Sequence, residues 1–564
     1  MAFRTWTDHL RDMHRSRPTA PLWGLVLAAF MGAGVVVGVW MPDDDLFELR
    51  KGLRIFGAVY EEVVTGYVEP VDPGRLMRVG VDAMLAELDA YTTYVDESEN
   101  ARIDIMTEGQ YGGVGLDVER RNGALTVVSP VAGGDAYERG VRTGDVITEV
   151  AGQPAASLSV EDVQALLRGP PGTPVRVTVR RNGRASPLPL TLTRERVELP
   201  DVTYRGRIGE GRELGYVKLE RFTRDAPPAV EAALDELRDT GPLRGVVLDL
   251  RDNPGGLLRA AVRVTALFVP QGTAVVSTRG RRDGTTKSYT TDRVPLLPET
   301  PVVVLVNGQS ASASEIVAGA LQDHDRGVVM GTTTYGKGLV QNVRPLPHNT
   351  ALKLTTARYY TPSGRTIQRL GARRQDTSGT SSPRTHETTG GRTVRDGHGI
   401  RPDVQVMPPS PSALEQALTR RGAFFRYANH YAATHDTLAA DFSVDESDLE
   451  AFQAWLDREG VEYPLQSERT LDSLRARIDA NGYEGLRDEI AALDAAIGET
   501  KTAAFGQHAP ALMRHLKREI LSRYVSASRR IEALIPADEQ VTAATNLLQD
   551  AGRYERLLTP KDEP

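Results

Sequence analysis

The chain has 564 residues, a net charge of −7, and 68 Lys plus Arg against 75 Asp plus Glu. That length exceeds one hydrophobic core and calls for ~3–4 domains. The charge balance gives no sign of the basic stripe that a nucleic-acid binder needs, and the absence of cysteine excludes disulfides and thiolate metal sites. Only eight of the cations are lysines, at 51, 218, 287, 337, 353, 501, 517 and 561. Arginine is the default surface cation, so a lysine in a special place points to a group that can give up its proton.

Residues 1–20 are basic, with Arg4, Arg11, Arg15 and Arg17, and Pro21–Met41 carries no charge. This stretch is long enough to cross a bilayer. With Asp43, Asp44 and Asp45 behind it, the positive-inside rule gives a single-pass anchor in the inner (cytoplasmic) membrane, with the remainder on the periplasmic or extracytoplasmic side. A cleaved signal peptide is the alternative.

Residues 46–104 read as helical from their apolar spacing. Over 105–196 short strands take over. Asn122-Gly123 marks a hairpin, and SVEDVQALLR is the main helix there. Over 197–407 apolar strands alternate with helices: LGYVKL, APPAVEAALDELRD, RGVVLDL, LLRAAVRVTALF, PVVVLVN, ASEIVAGALQD and GVVMG. Such an order implies an α/β layer with a buried sheet. Residues 371–397 are polar and read as a mobile insertion or surface loop. From 412 to 564 the chain reads as helical, with apolar faces such as Leu512, Leu516 and Ile520. These serve either a plain bundle or a surface for self-association, a lid or an adaptor.

Three segments carry candidate chemistry. Asn307-Gly-Gln-Ser310-Ala-Ser312-Ala-Ser314-Glu315 joins an apolar strand to a helix, where the helix dipole and free N–H groups favour a nucleophile and an oxyanion. Ser312-x-x-Glu315 equally fits a capping box. Lys337 stands between Gly336 and Gly338, with Gln341 beyond. Burial would depress its pKa and make it a general base, whereas exposure would make it a turn lysine. Asp249-Leu-Arg251-Asp-Asn-Pro-Gly255-Gly256 ends a strand in a turn able to aim an N–H at a carbonyl, or in an ordinary strand-to-helix turn. Before the polar stretch 371–397 the α/β region holds only His324 and His348, and it has no G-x-S-x-G, so a Ser–Lys pair is simpler than a His-based triad. Gly331 to Lys337 spells G-x-x-x-x-G-K, but Gly338 replaces the metal-ligating hydroxyl and a strand-like run follows, which disfavours a phosphate loop.

Together YGGVGL, LDLRDNPGGLL, SASASEIVAGALQDH, GTTTYGKGLVQ, KLTTARYYTPSGRTIQ and GIRPDV resemble the carboxyl-terminal processing (tail-specific) proteases of peptidase family S41, over about 45–407. The resemblance implies a multidomain α/β fold: a ClpP/crotonase-like protease core with an inserted PDZ domain, N-terminal helices and a C-terminal helical domain. It picks Ser312 as nucleophile, Lys337 as general base and Gln341 as the residue orienting the lysine. Gly256 and Ala313 match the oxyanion hole, and Arg251 and Asp323 match scaffolding positions. The PDZ resemblance places a substrate's terminal carboxylate at Gly112, Gly113, Val114, Gly115 and Leu116, with Arg168 reporting occupancy. The implied partners are proteins with exposed apolar C-termini, and neither metal nor cofactor is called for. A catalytically inactive PDZ scaffold on a membrane is the competing function.

Overall fold

The computed structural model describes residues 43–96, 107–281, 286–369, 384–439 and 441–560. The chain divides into two units, 1–85 and 86–564. In the first, helices Asp43–Gly66 and Pro73–Ala86 are tied by the Tyr60 phenol, which donates to the Pro73 carbonyl at 2.8 Å. Among the described residues no helix is long and apolar enough to cross a membrane. That overturns the expected single-pass placement in the inner membrane, with the catalytic part beyond it. The segment 21–41, on which the expectation stood, lies outside the described residues.

The helical reading of 46–104 stops early. In the second unit Asp89 accepts from the N–H groups of Tyr91 and Thr92, at 2.8 and 2.9 Å, and turns the chain into a strand, Thr93–Val95. A short polar side chain that bonds the backbone just ahead of it competes with helix in this way.

A sheet of short antiparallel strands follows: Leu116–Arg121, Ala124–Pro130, Val146–Val150, Pro174–Arg180 and Leu188–Thr193. Asn122 and Gly123 take φ of 49° and 80° at its hairpin, the left-handed pair that a two-residue turn needs. The helix Val160–Leu167 closes this core. It is capped reciprocally by Ser159 and Asp162, and Val163 and Leu167 face inward.

A six-stranded, mostly parallel sheet has strands β1 Val202–Ile208, β2 Leu214–Leu219, β3 Gly245–Asp249, β4 Val302–Val306, β5 Val328–Gly331 and β6 Val404–Gln405, side by side in that order. Only the β1–β2 pair is antiparallel. Every residue of β3, β4 and β5 is buried, because both faces are covered. One face packs on helices Ala226–Asp239, Leu258–Thr265 and Ala313–Asp323. The other is covered by the end of the chain: Val541, Ala544, Leu547, Leu548 and Tyr554 pack against Tyr216, Val247, Val303, Leu305 and Met330. The Tyr554 hydroxyl accepts from Val302 N–H and donates to Val302 C=O, at 2.9 and 3.0 Å.

Beside this layer stands a second antiparallel sheet. It contains the hairpin Leu339–Leu346/Thr350–Tyr360 and strand Ala274–Gly280. The run after Lys337 is thus strand, and the phosphate-loop alternative falls for want of its helix.

The polar stretch 371–397 is only partly as expected. Residues 370–383 lie outside the described residues, but Thr385–Glu387 and Thr393–Arg395 form a hairpin. Arg392 ties it down through Asp325 and Asp403, partners that composition cannot reveal. The helices from Ala413 to Tyr524 form a bundle with its own core, in which Leu512, Leu516 and Ile520 are fully buried. Those faces are therefore bundle interior. This bundle meets the first sheet where the Phe425 ring takes the guanidinium groups of Arg121 and Arg523, at 4.2 and 4.3 Å.

Candidate active site

Strand β4 ends at Val306, and the helix Ala313–Asp323 starts seven residues later. Three serines lie in this turn, and hydrogen bonding distinguishes them. The Ser310 hydroxyl donates to Leu250 C=O at 2.8 Å, and the Ser314 hydroxyl donates to Asn253 C=O at 2.9 Å. Both are fully buried and hold one turn against another. Ser312 is different: its hydroxyl stands close enough to the Tyr359 phenol to act on that group's pKa. Burial pushes that phenol's pKa up to about 12, and the Ser312 hydroxyl works in the opposite direction. Ser312 takes φ 54° and ψ −109°. A non-glycine residue there is strained and persists only where its surroundings dictate it. A sharp strand-to-helix turn of this kind lifts a side chain out of the backbone.

The turn after β3 supplies the opposite wall. Gly255 has φ 99°, and a Cβ on it would lie 2.6 Å from Ala311 O and 2.9 Å from both Ala313 N and Ser312 Cβ. Only glycine lets these two turns approach so closely. Ala311 N–H donates to Asn253 C=O at 3.1 Å, and Gly255 N–H is taken by the Asn253 side chain at 2.8 Å. Among the described residues neither Gly256 N–H nor Ala313 N–H donates to a protein acceptor. Unpaired main-chain donors are uncommon in a protein interior and mark a place for an acceptor from outside.

Glu315 joins this turn to the lysine. Its carboxylate is fully buried and accepts four hydrogen bonds: Ser312 N–H at 2.8 Å, Gly336 N–H at 2.7 Å, Lys337 N–H at 2.9 Å and the Thr334 hydroxyl at 2.6 Å. Burial raises its pKa, and the four donors act against that. The expected capping contact is thus present, but its carboxylate also fastens the lysine loop.

Lys337 is half-buried. Desolvation and the nearby Lys353 lower its pKa, Glu315 raises it, and the result is about 8. Its amine sits 5.3 Å from the centre of the Tyr91 ring and, among the described residues, makes no hydrogen bond to the Ser312 hydroxyl. Gln341 stands at a bulge in strand Leu339–Leu346, and its amide donates to Tyr91 C=O at 2.7 Å. It reaches the lysine through Tyr91. Asp323 pairs with the buried Arg365 at 2.7 Å, at the far end of the helix.

Beside the first sheet, in the strand Gln110–Gly113 that pairs with Glu195–Glu198, Gly112 and Gly113 lie against the end of helix Val160–Leu167. Gly113 forms a bridge with Arg168, whose guanidinium sits 5.6 Å from the Tyr111 ring centre. Val114 and Leu116 turn their side chains into the core, and Gly115 takes φ 73°.

Sequence reasoning missed Tyr91 and Tyr359. Tyr359 lies within a quoted motif, but no spacing rule singles out a phenol. Tyr91 lies far from every motif and reaches the site by strand pairing alone.

Residues 213–375 match the peptidase family S41, residues 126–181 a PDZ domain, and residues 414–548 the C-terminal helical domain of a probable PDZ-protease. The chain is 41% identical over 350 residues to a carboxy-terminal-processing protease of Bartonella bacilliformis, covering 61% of this chain and 80% of that one. It is 36% identical over 295 residues to a carboxyl-terminal-processing protease of Synechocystis, covering 52% and 68%. The solved photosystem II D1 C-terminal processing protease is 30% identical, with a TM-score of 0.37, covering 65% of this chain and 88% of that one.

Proposed function

The chain belongs to peptidase family S41 as a carboxy-terminal-processing serine endopeptidase with a PDZ domain, and from that premise we propose that Ser312 is its nucleophile and Lys337 its general base. The observation that carries the assignment is the Glu315 carboxylate, which holds the Ser312 and Lys337 N–H groups on one oxygen at 2.8 and 2.9 Å. A fixed spacing of the two loops suits a nucleophile and its base.

With a pKa of about 8, roughly a tenth of the Lys337 amines are neutral at pH 7, enough for a base whose catalytic form is continuously replenished. Catalysis requires the amine to leave the Tyr91 ring and the Ser312 hydroxyl to turn from the Tyr359 side toward the amine. Lys337 then takes the hydroxyl proton while the oxygen attacks the scissile carbonyl. The N–H groups of Gly256 and Ala313 hold the oxyanion. The protonated lysine returns its proton to the leaving amine, an ester on Ser312 remains, and water activated by Lys337 releases it. Gln341 fixes Tyr91 and through it the resting position of the lysine.

The same reading assigns 105–196 to the PDZ domain, 197–407 to the protease core and 412–564 to the helical domain. A substrate's apolar C-terminal tail adds beside Gly112–Leu116, with its carboxylate on the glycine main chain and Arg168 registering its presence. The test is cleavage of an unfolded protein by the wild type, Ser312→Ala and Lys337→Ala, with product masses mapping the cuts. Cleavage is expected from the wild type alone, and equal cleavage by all three sinks the assignment. A substrate with an amidated C-terminus tests the tail site: an unchanged KM argues against it.

A further inference from the structure

The turn that carries Gly256 is anchored at its base by Arg251, and the guanidinium is shared between two distant parts of the chain. Arg251 folds back on Asp249: Nε lies 3.0 Å from Oδ1 and Nη2 lies 2.6 Å from Oδ2. Asp249 is fully buried. Burial works to raise its pKa, but Arg251 and Lys218 outweigh that and hold it at about 2. The Tyr216 phenol also donates to this carboxylate at 2.6 Å, and the Lys218 amine donates to Arg251 C=O at 2.7 Å. This much belongs to the core.

The remaining nitrogen, Nη1, points elsewhere. It lies 2.8 Å from Asp538 Oδ2 and 2.9 Å from Gln540 Oε1, both at the start of the helix Glu539–Gln549 near the chain's end. That helix is a firm mount. Asp538 caps it by accepting from Gln540 and Val541 N–H at 3.0 and 3.1 Å. Gln540 donates to Val406 C=O at 2.7 Å. Val541, Ala544, Leu547 and Leu548 are buried on the central sheet.

The residues beside Arg251 are the ones that carry the active-site turns. Leu250 C=O receives the Ser310 hydroxyl. Asp252 exchanges hydrogen bonds with the Asn307 side chain at 3.1 and 2.9 Å. A pivot of Arg251 about Asp249 therefore moves both the Gly255–Gly256 turn and the start of the nucleophile turn.

We propose that Asp538 is a positioning residue for the oxyanion hole: from the C-terminal helical tail it stops Arg251 from pivoting and so fixes the Gly256 and Ala313 N–H groups. This rests on the assignment of those two groups above. It makes the tail a working part of the protease core.

The experiment uses the full chain with a fluorogenic peptide substrate, and active sites are counted by a fluorophosphonate. Asp538→Ser keeps a cap on the tail helix but cannot reach Arg251. Asp550→Ser alters the cap of the next helix, where Asp550 accepts from Arg553 N–H and has no tie to Arg251. In Asp538→Ser, kcat per titrated site is expected to fall about 10- to 100-fold while KM stays within about 2-fold, since displaced donors weaken the transition state and not the ground state. Affinity for a peptide boronate, whose tetrahedral adduct carries the oxyanion, should fall by a similar factor. Asp550→Ser should keep wild-type kcat per site. The inference is overturned if Asp538→Ser keeps wild-type kcat per titrated site, or if it loses only titratable sites, or if Asp550→Ser shows the same loss. If Ser312→Ala still cleaves, the site assignment itself fails and takes this inference with it.

Discussion

The turn proposed to carry the nucleophile and the glycine strand at 110–113 proposed to take the tail are held in opposite ways. Around Ser312 nearly every polar group has a designated partner: Glu315 accepts four donors, Ser310 and Ser314 grip neighbouring carbonyls, and Asn253 and Asn307 tie in the opposite turn. The glycine strand is held by main chain. Gly169 N–H donates to Gly112 C=O at 3.2 Å, Gly113 bridges Arg168, and a Cβ on Gly112 would fall 2.4 Å from Gly169 O. Bond making needs donors fixed to fractions of an ångström, and a network of buried side chains supplies that. Recognition of varied tails needs a main-chain edge that reads backbone and carboxylate and leaves side chains to pockets.

That contrast can be broken by substitution. The largest effects belong at the chemistry: Ser312→Ala or Lys337→Arg should cut kcat by about 10⁴-fold or more, read as cleavage per mole of folded protein. Lys337→Arg keeps the charge and abolishes the base, so substantial turnover in that variant would overturn the proposed proton transfer. Next comes Gly255→Ala. A methyl placed 2.6 Å from Ala311 O must push the two turns apart, and kcat should fall about 10²-fold with lowered thermal stability. Wild-type turnover there would show that the close approach is dispensable.

Glu315→Gln sharpens the comparison through pH. The carboxylate's charge raises the Lys337 pKa, so its removal lowers that pKa. Because the amine must be neutral, wild-type kcat/KM should rise through about pH 8, and in the variant the rise should shift to lower pH. Stability should also fall by roughly 1–3 kcal/mol as buried N–H groups lose acceptors. A destabilised variant with an unmoved pH limb would leave Glu315 a structural role only. The smallest effect is expected beside the glycine strand, where Arg168 bridges Gly113. Arg168→Ala removes the cation beside Tyr111, and the tail-peptide concentration giving half-maximal stimulation should rise about 5-fold. An unchanged response would detach Arg168 from tail sensing.

Much of the layer architecture was legible because it is written locally. Apolar runs such as PVVVLV became fully buried strands, and Asn122-Gly123 became the hairpin turn. The family resemblance picked out Ser312 and Lys337, but the sequence read Glu315 only as a cap, and its hold on both N–H groups came from the structure. What escaped were contacts between distant segments. Gln341 reaches Tyr91 across 250 positions, and Arg251 reaches Asp538 across 287. In the sequence the first is a glutamine in a strand and the second an ordinary cap. The tail helices posed a related difficulty. Leu512 and Leu547 lie on similar apolar faces, yet one lines the bundle and the other lines the catalytic sheet. Amphipathic spacing says that a face is covered, and it does not say by what.

The covering of the β1–β6 sheet by Val541 to Tyr554 also sets an order in time. A ribosome makes β5 long before it makes that helix, and on the order of tens of seconds pass between them at ordinary synthesis rates. Through that interval a strip of valine, leucine and methionine stands bare and Arg251 lacks its outer partner. If Asp538 sets the oxyanion turn as proposed, the nascent chain would be a poor protease over that interval, and its bare sheet face would be a place for a chaperone to bind.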